Sequence, residues 1–241
     1  YTLWHTLSLH DALPIWRYPN IAIFKPFNTC AQICVYCQRN WEIDQVMAPG
    51  ALATPERMDA ARRWFAAHRE VEEVLVTGGD PCVMSDARLH QLLSGFAGMD
   101  HIRRIRIGTR TPVVLPMRWT DELVSVLEGF SDPGRREVSV VTHFEHPYEI
   151  TPEAAEAVAR IRRAGIGVYN QQVFTVENSR RFESARLRVD LRSIGVDPYY
   201  NFNMKGKSET DSLRVPIARI LQERKEEARL LPGLDRTDES V

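Results

Sequence analysis

The sequence predicts an α/β fold, a partial (βα)6 barrel of the TIM type that is truncated at both ends. Short β-branched runs alternate with amphipathic helical stretches, which favours parallel strands joined by right-handed crossovers. Several helix starts carry proline or acidic residues in the first turn. Polar or unusual residues follow each strand, and a curved parallel sheet would collect them on one face, at the carboxyl ends of its strands.

Each strand prediction rests on a β-branched or aromatic run bounded by polar or glycine-rich segments. In chain order the strand candidates are IAIFKPF, EEVLVTGG, IRRIRIGT, EVSVVTHF, GIGVYNQQVF and DPYYNFNM. Helical periodicity fills the intervals, over residues 54–68, 85–96, 120–130, 151–164, 179–194 and 215–231. The stretches TPER and TPEA place proline just inside a helix start, and RRAGIG places Gly165 where a helix ends.

The chain divides into three segments. Residues 1–16 have neither the basic start nor the apolar centre of a signal peptide, and we interpret them as a non-native leader. Residues 17–231 carry the alternating pattern of strands and helices, and residues 232–241 are interpreted as the start of a truncated C-terminal segment. We therefore expect an interior fragment of a longer protein.

The composition is that of an ordinary globular protein, with 241 residues, 44% of them hydrophobic and 26% charged. The net charge of −1 argues against nucleic acid or an anionic membrane as a partner recognised by bulk charge. Four cysteines, three of them clustered, do not resemble a secreted disulfide framework. We expect the protein in a reducing cytoplasm.

The stretch NTCAQICVYCQRN holds Cys30, Cys34 and Cys37 in a C-x3-C-x2-C pattern. Thiolates bind zinc or an iron–sulfur cluster. Structural zinc takes four ligands, and no second C-x2-C pair follows, although Cys82 or a distant histidine could complete a tetrahedron. A 4Fe–4S cluster usually takes four cysteines, so three leave one iron with an open site of the kind that catalysis requires. Cys82 is otherwise expected to be a small buried residue.

The three-cysteine pattern, with an aromatic residue before its last cysteine, resembles the radical S-adenosylmethionine (SAM) superfamily. The resemblance implies a barrel of the radical SAM type with the three cysteines as ligands of a 4Fe–4S cluster. It implies that the open iron binds the amino and carboxylate groups of SAM, and that an electron from the reduced cluster cleaves SAM to a 5′-deoxyadenosyl radical. Tyr36 would lie beside the adenine.

The stretch VLVTGGDP resembles the turn with which that superfamily binds the SAM ammonium. Gly78 and Gly79 would let backbone carbonyls approach closely, and Asp80 would add a charge-assisted hydrogen bond. Taken alone, the same three residues are also compatible with a tight turn between a strand and a helix.

The stretches IRIGTRTPVVLP, THFEHPYEIT, NQQV and PYYNF resemble the lysine 2,3-aminomutase family, in the same order. The resemblance implies an isomerase in which pyridoxal phosphate holds an amino acid while its amino group moves from the α- to the β-carbon. It also implies a small amino-acid substrate and a reducing electron donor. The oligomeric state is left open, a homo-oligomer included.

Individual residues follow from the same resemblance. Arg39 matches the arginine that binds the substrate α-carboxylate, for which a guanidinium fork is well suited. His143 and Gln171 match positions near SAM. Thr109 and Arg110 are candidates for contact with SAM or with a phosphate, and the sequence does not choose between these.

Two departures from the family pattern affect the predicted substrate and cofactor. Lys205 falls where lysine-specific members carry an aspartate, so a carboxylate-bearing, glutamate-type substrate is favoured over lysine. The lysine that binds pyridoxal phosphate is expected beyond the last strand, and neither Lys25 nor Lys225 matches it. The alternatives are a lysine 2,3-aminomutase, an aminomutase acting on a lysyl residue of a translation factor, and, in another class, a zinc-stabilised binding module without catalysis.

Overall fold

A computed structural model describes residues 15–37, 39, 42–43, 45–204, 208–236 and 239–240; side chains are described for these except 15–18, 209 and 239–240. The described strands are β1 (Ile15–Tyr18), β2 (Ile21–Phe27), β3 (Glu73–Gly78), β4 (Arg104–Gly108), β5 (Glu137–Thr142), β6 (Gly167–Phe174), β7 (Asp197–Asn203) and β8 (Glu239–Ser240). The described α-helices are α1 (Pro55–Ala67), α2 (Asp86–Ala97), α3 (Thr111–Val114), α4 (Asp121–Glu128), α5 (Pro152–Arg163), α6 (Glu183–Ser193) and α7 (Ile217–Leu230).

The strands form one sheet whose spatial order follows the chain, from β1 to β8. Strands β2 to β7 are mutually parallel, each paired with the next through a helical crossover. Strand β1 adds an antiparallel edge beside β2, and the two residues of β8 pair in parallel with β7. The predicted α/β class and its six parallel strands are therefore confirmed.

The core lies between the sheet and the surrounding helices. In β3, β4 and β5 the fully buried side chains on this side are Val74, Val76, Ile105, Ile107 and Val140. They pack with helix residues that recur at helical spacing in α2, α4 and α5. Burying each large aliphatic side chain stabilises the fold by about 1.5–3 kcal/mol, so this layer stabilises the sheet that carries the site.

The helix boundaries follow local capping chemistry. The side chains of Thr54, Ser85, Thr120 and Thr151 each accept a hydrogen bond from a backbone N–H in the first turn of the helix that follows. Helix α5 ends before Gly165, whose φ of +73° is the left-handed conformation predicted for that residue.

Two helical segments differ from the sequence prediction. Helix α6 begins at Glu183 rather than at 179, because Phe182 has a φ of +71° and its N–H donates to the Glu223 carboxylate (3.2 Å). The short helix α3 was not predicted. It begins directly after Arg110, at the end of β4.

Two predictions fall partly or wholly on residues that are not described. Of the predicted leader, residues 1–14 lie outside the description, whereas Ile15 and Trp16 begin β1. Lys205 lies outside the described residues as well. No helix in the described part of the chain is both long and apolar enough to cross a membrane.

Candidate active site at the carboxyl ends of the strands

A cavity of about 490 Å³ opens at the carboxyl ends of the parallel strands. The three clustered cysteines line it together with residues that lie at the carboxyl ends of β3, β4, β5, β6 and β7 or directly after them. The predicted residues that the cavity brings together are Cys30, Cys34, Tyr36, Cys37, Arg39, Gly79, Asp80, Thr109, Arg110, His143 and Gln171. Residues spread over more than 130 positions of sequence therefore share one chamber, as the parallel topology requires.

The cysteine loop follows β2 and is anchored at both ends. The Cys37 N–H donates to the Cys34 carbonyl (3.0 Å), which closes a tight turn, and the Met47 N–H donates to the Cys30 carbonyl (3.1 Å). The Thr29 hydroxyl donates to the Gln45 carbonyl (3.1 Å) and accepts from the Ala48 N–H (2.9 Å). These bonds hold the loop while its three thiols stay partly exposed to the cavity.

The thiols lie in an environment that favours a bound cationic centre. Burial raises the pKa of Cys30 to about 12, and the negative charges of Asp80 and of the other two cysteines act in the same direction. Metal ligation requires the thiolate, and a positive centre reverses that penalty. No three metal-ligating side chains in the described ranges converge on a point that would hold a single ion. A cubane cluster takes one cysteine at each of several irons, so it does not need such convergence.

The turn after β3 is docked onto the cysteine loop. The Gly79 N–H donates to the Phe27 carbonyl (2.7 Å), and the Asp80 N–H donates to the Thr29 carbonyl (2.8 Å). A Cβ on Gly79 would lie 2.8 Å from the Thr29 carbonyl carbon and closer still to that residue's oxygen and nitrogen. Gly78 has a φ of +119°, a conformation that favours glycine. Both glycines thus let two backbone segments approach.

The Asp80 carboxylate is buried and holds the end of β4. It accepts hydrogen bonds from the Thr109 hydroxyl (2.6 Å), the Arg110 N–H (2.7 Å) and the Cys82 N–H (3.0 Å). Burial raises the pKa of Asp80, and these hydrogen bonds oppose that rise. Binding of the SAM ammonium by Asp80 stays a prediction; the contacts give the carboxylate a supporting function at the base of the cavity.

Tyr36 and His143 each present a buried polar atom to the cavity. The Tyr36 hydroxyl and His143 Nδ1 have no hydrogen-bond partner among the described residues. Burial and the nearby carboxylate of Glu145 raise the pKa of Tyr36, so its hydroxyl stays protonated. Gln171, in β6, also lines this wall. Unpartnered buried polar atoms are rare, and here they lie where a polar ligand would be bound.

Arg39 lies between the cysteine loop and the turn after β3. Its Nη2 donates to the Asn28 side-chain oxygen, and its Nε donates to the Glu42 carboxylate (2.9 Å). Its Nη1 is buried and has no partner in the part of the chain that the structure describes. The predicted two-nitrogen fork is therefore partly engaged already, and Nη1 is the donor left for a carboxylate.

Several site residues were not singled out from the sequence. Asn28 and Glu42 orient Arg39, whereas Glu145 and Glu149 lie in the segment that follows β5. The Glu145 carboxylate accepts the Val173 N–H (2.6 Å) and lies 3.7 Å from His143 Nδ1. The stretch THFEHPYEIT could have indicated them, because two acids and two histidines follow a strand within eight residues. Cys82, by contrast, is fully buried as predicted.

No protein-family model matches the chain. An uncharacterized KamA family protein of Methanocaldococcus jannaschii is 49% identical over 236 residues, which cover 96% of this chain and 37% of that protein. Glutamate 2,3-aminomutase of Clostridioides difficile is 37% identical over 191 residues, covering 78% of this chain and 43% of that enzyme. The chain is a KamA-family homologue.

The lysine enzymes of the same family match over a similar region. L-lysine 2,3-aminomutase of Methanococcus maripaludis is 31% identical over 207 residues, which cover 86% of this chain and 46% of that enzyme. The KamA-family homologue thus spans less than half the length of these three curated relatives.

Solved structures show the same fold at low identity. Streptococcus suis SuiB bound to S-adenosylmethionine matches with a TM-score of 0.64 and 14% identity, over 88% of this chain and 47% of that one. A radical SAM methyltransferase from Sphaerobacter thermophilus matches with a TM-score of 0.61 and 17% identity, over 91% of this chain and 67% of that one. The KamA-family homologue therefore has the fold of radical SAM enzymes, in agreement with the predicted partial barrel.

Proposed function

We propose that this chain is the core of a radical SAM 2,3-aminomutase, in which Cys30, Cys34 and Cys37 bind a 4Fe–4S cluster with one open iron. The observation that carries the proposal is the shared cavity. Three thiols, an arginine with a buried Nη1 and two unpartnered polar atoms line one chamber at the carboxyl ends of parallel strands. Parallel α/β barrels collect their chemistry at that edge.

A reduced cluster of this kind supplies the electron that cleaves SAM to a 5′-deoxyadenosyl radical. The chain's own contribution is to bind and orient. The cysteine loop and the turn at Gly79 hold the thiols in place through main-chain hydrogen bonds. Tyr36 and His143 offer their unpartnered polar atoms, and Gln171 its amide, to a nucleoside.

The substrate carboxylate is assigned to Arg39. Its Nη1 is buried without a partner, and Asn28 and Glu42 fix the plane of the guanidinium. The Glu42 carboxylate already pairs with this guanidinium, with Nη2 at 2.8 Å from its oxygen, so Nη1 is the donor left for a charge-assisted hydrogen bond to the substrate. Arg39 also lies two residues from Cys37, whose sulfur accepts the Arg39 N–H (3.3 Å). The substrate would therefore be held next to the cluster.

Pyridoxal phosphate is proposed for the whole protein, on the strength of the family resemblance alone. Of the described lysines, Lys25 lies in β2 beside a separate cavity and Lys225 lies on α7. Neither lines the cavity that holds the three cysteines. We therefore assign the cofactor no position among the described residues.

A glutamate-type substrate is favoured over lysine. The support is Lys205, a cation at the position where lysine-specific members carry an aspartate, together with the relative named glutamate 2,3-aminomutase. Incubating the full-length protein with glutamate and with lysine, and analysing the β-amino acids formed, tests this assignment. β-Lysine without β-glutamate would remove the case for Lys205.

Anaerobic reconstitution tests the proposed chemistry. We expect about four irons and four sulfides per chain, and 5′-deoxyadenosine when SAM and a strong reductant are added. Replacing all three cysteines with serine is the matched control and should abolish both. One tightly held zinc without sulfide would favour the non-catalytic binding module instead. The reaction needs an external electron donor. We place the protein in a reducing cytoplasm, because its four cysteines are free thiols and do not form a disulfide framework.

A further inference from the structure

Arg110 joins the cysteine loop to the opposite wall of the cavity. Its Nη1 donates to the Cys34 sulfur (3.0 Å), and its Nη2 donates to the Glu149 carboxylate (2.7 Å). Its Nε donates to the His143 carbonyl (3.2 Å). Each of the three guanidinium nitrogens thus has a partner in the protein itself, and contact of Arg110 with SAM or with a phosphate stays a prediction.

The position of Arg110 is fixed from its backbone as well. Its N–H donates to the buried Asp80 carboxylate (2.7 Å), which also receives the Thr109 hydroxyl (2.6 Å). Its guanidinium lies 5.5 Å from the centre of the Tyr36 ring, within the range of a cation–π contact. Only 14% of the Arg110 side chain is exposed. A charge held this firmly acts on its neighbours with little screening by water.

The three thiols differ in the donors that reach them. Cys37 accepts a neutral backbone N–H, from Arg39. Cys34 accepts a charged guanidinium N–H. Reduction potentials of iron–sulfur clusters depend on hydrogen bonds to the ligand sulfurs and on the local charge. Cys34 is therefore a corner at which a charged side chain can tune the cluster.

We propose that Arg110 is a positioning residue that holds the Cys34 thiolate and raises the reduction potential of the bound cluster, with Glu149 limiting the size of that effect. The proposal rests on the proposed function, because it needs the 4Fe–4S cluster. The oxidised cluster takes up one electron and no bond is made or broken, so the reduced state carries one more negative charge. A cation at 3.0 Å from a ligand sulfur stabilises that state.

The carboxylates around Arg110 act in the opposite direction. Glu149 forms an ion pair with it, and Glu145 lies behind His143 with one oxygen unpartnered among the described residues. Asp80 meets the backbone of Arg110 rather than its guanidinium. Removing the Glu149 charge should therefore leave the cation of Arg110 less compensated and raise the potential further.

The test is a redox titration of reconstituted full-length protein, with dithionite as the reductant and the signal of the reduced cluster as the readout. We expect Arg110→Gln to lower the reduction equilibrium constant at least tenfold, a shift of about 59 mV to more negative potential for a one-electron couple. We expect Glu149→Gln to shift the potential the other way. Arg135→Gln serves as the matched control. Arg135 lies in the loop that precedes β5, and the substitution removes its exposed ion pair with Asp100 (2.8 Å).

Opposite shifts for the two variants distinguish tuning from a merely structural function, which would reduce cluster loading in both. Unchanged potentials, or shifts of the same sign, would overturn the proposal. If Arg110→Gln does not retain a cluster, the sign of the Glu149→Gln shift decides alone. Failure of the proposed function is a separate result, because wild-type protein would then hold no 4Fe–4S cluster at all.

Discussion

Replacing Gly79 with alanine tests how the site is assembled. The added Cβ would lie 2.8 Å from the Thr29 carbonyl carbon, whereas carbon atoms pack at about 3.5–4.0 Å. The cysteine loop and the turn after β3 must therefore separate by roughly 0.7 Å or more. Two hydrogen bonds cross this contact, from the Gly79 N–H to Phe27 (2.7 Å) and from the Asp80 N–H to Thr29 (2.8 Å). The displaced segment ends one residue before Cys30.

The expected magnitude follows from the contact. Forcing one extra carbon into a close-packed contact costs about 1–3 kcal/mol. For a chain of this length, that corresponds to a fall in melting temperature of about 2–12 °C. A displacement approaching 1 Å at a reacting centre can cost about a hundredfold in rate, so we expect the rate of 5′-deoxyadenosine formation to fall by up to about that factor.

Gly98→Ala is the matched control for this substitution. Gly98 follows α2 with a φ of −85°, and an added Cβ would meet no atom within 4 Å. The two variants are compared by thermal unfolding, by iron bound after anaerobic reconstitution and by 5′-deoxyadenosine formed. Wild-type melting temperature and iron content in Gly79→Ala would refute the idea that this turn holds the cysteine loop.

Three further predictions concern single side chains. Arg188 and Glu227 form a 2.9 Å ion pair in which the two side chains are only 4% and 3% exposed. Arg188→Ala would leave the Glu227 carboxylate buried without this partner, so it should lower the free energy of unfolding by about 3–5 kcal/mol in a denaturant titration. A loss below about 1 kcal/mol would contradict this. In metal-free protein, burial raises the pKa of the Cys30 thiol from 9.0 to about 12, so its contribution to stability is complete below pH 9 and is lost as the pH rises towards 12. The melting temperature of wild type should therefore fall relative to that of Cys30→Ser over that window, and a constant difference would contradict the shift. Arg39→Lys should raise KM for the amino-acid substrate at least tenfold while the iron content stays unchanged, because lysine cannot reproduce the planar guanidinium. An unchanged KM would show that Arg39 does not bind the substrate.

Local sequence was sufficient to predict most of the fold. The six parallel strands lie where β-branched runs predicted them, and α5 ends at the predicted glycine, because strand propensity and capping act within a few residues. The start of α6 was misplaced because a distant contact decides it. Glu223, on α7, accepts the N–H of Phe182, which is held in the left-handed conformation.

The candidate site was predictable only in part, for the same physical reason. A three-cysteine pattern and a glycine turn are short-range signals, and the structure places both at one cavity. The partner of Arg110 could not be read from the chain, because Cys34 lies 76 positions away. The contact of Asp80 with the end of β4 could not be predicted either, because it depends on Thr109, which tertiary packing brings to the carboxylate.

The central claim is that three cysteines hold a cubane whose fourth iron is open to SAM. The most direct measurement is the electron paramagnetic resonance spectrum of the reduced, reconstituted protein, recorded with and without SAM under strictly anaerobic conditions. Coordination of the amino and carboxylate groups at the open iron should change the spectrum of the reduced cluster, and serine at Cys30, Cys34 and Cys37 should remove the signal altogether. A 4Fe–4S spectrum that is identical with and without saturating SAM would contradict the account.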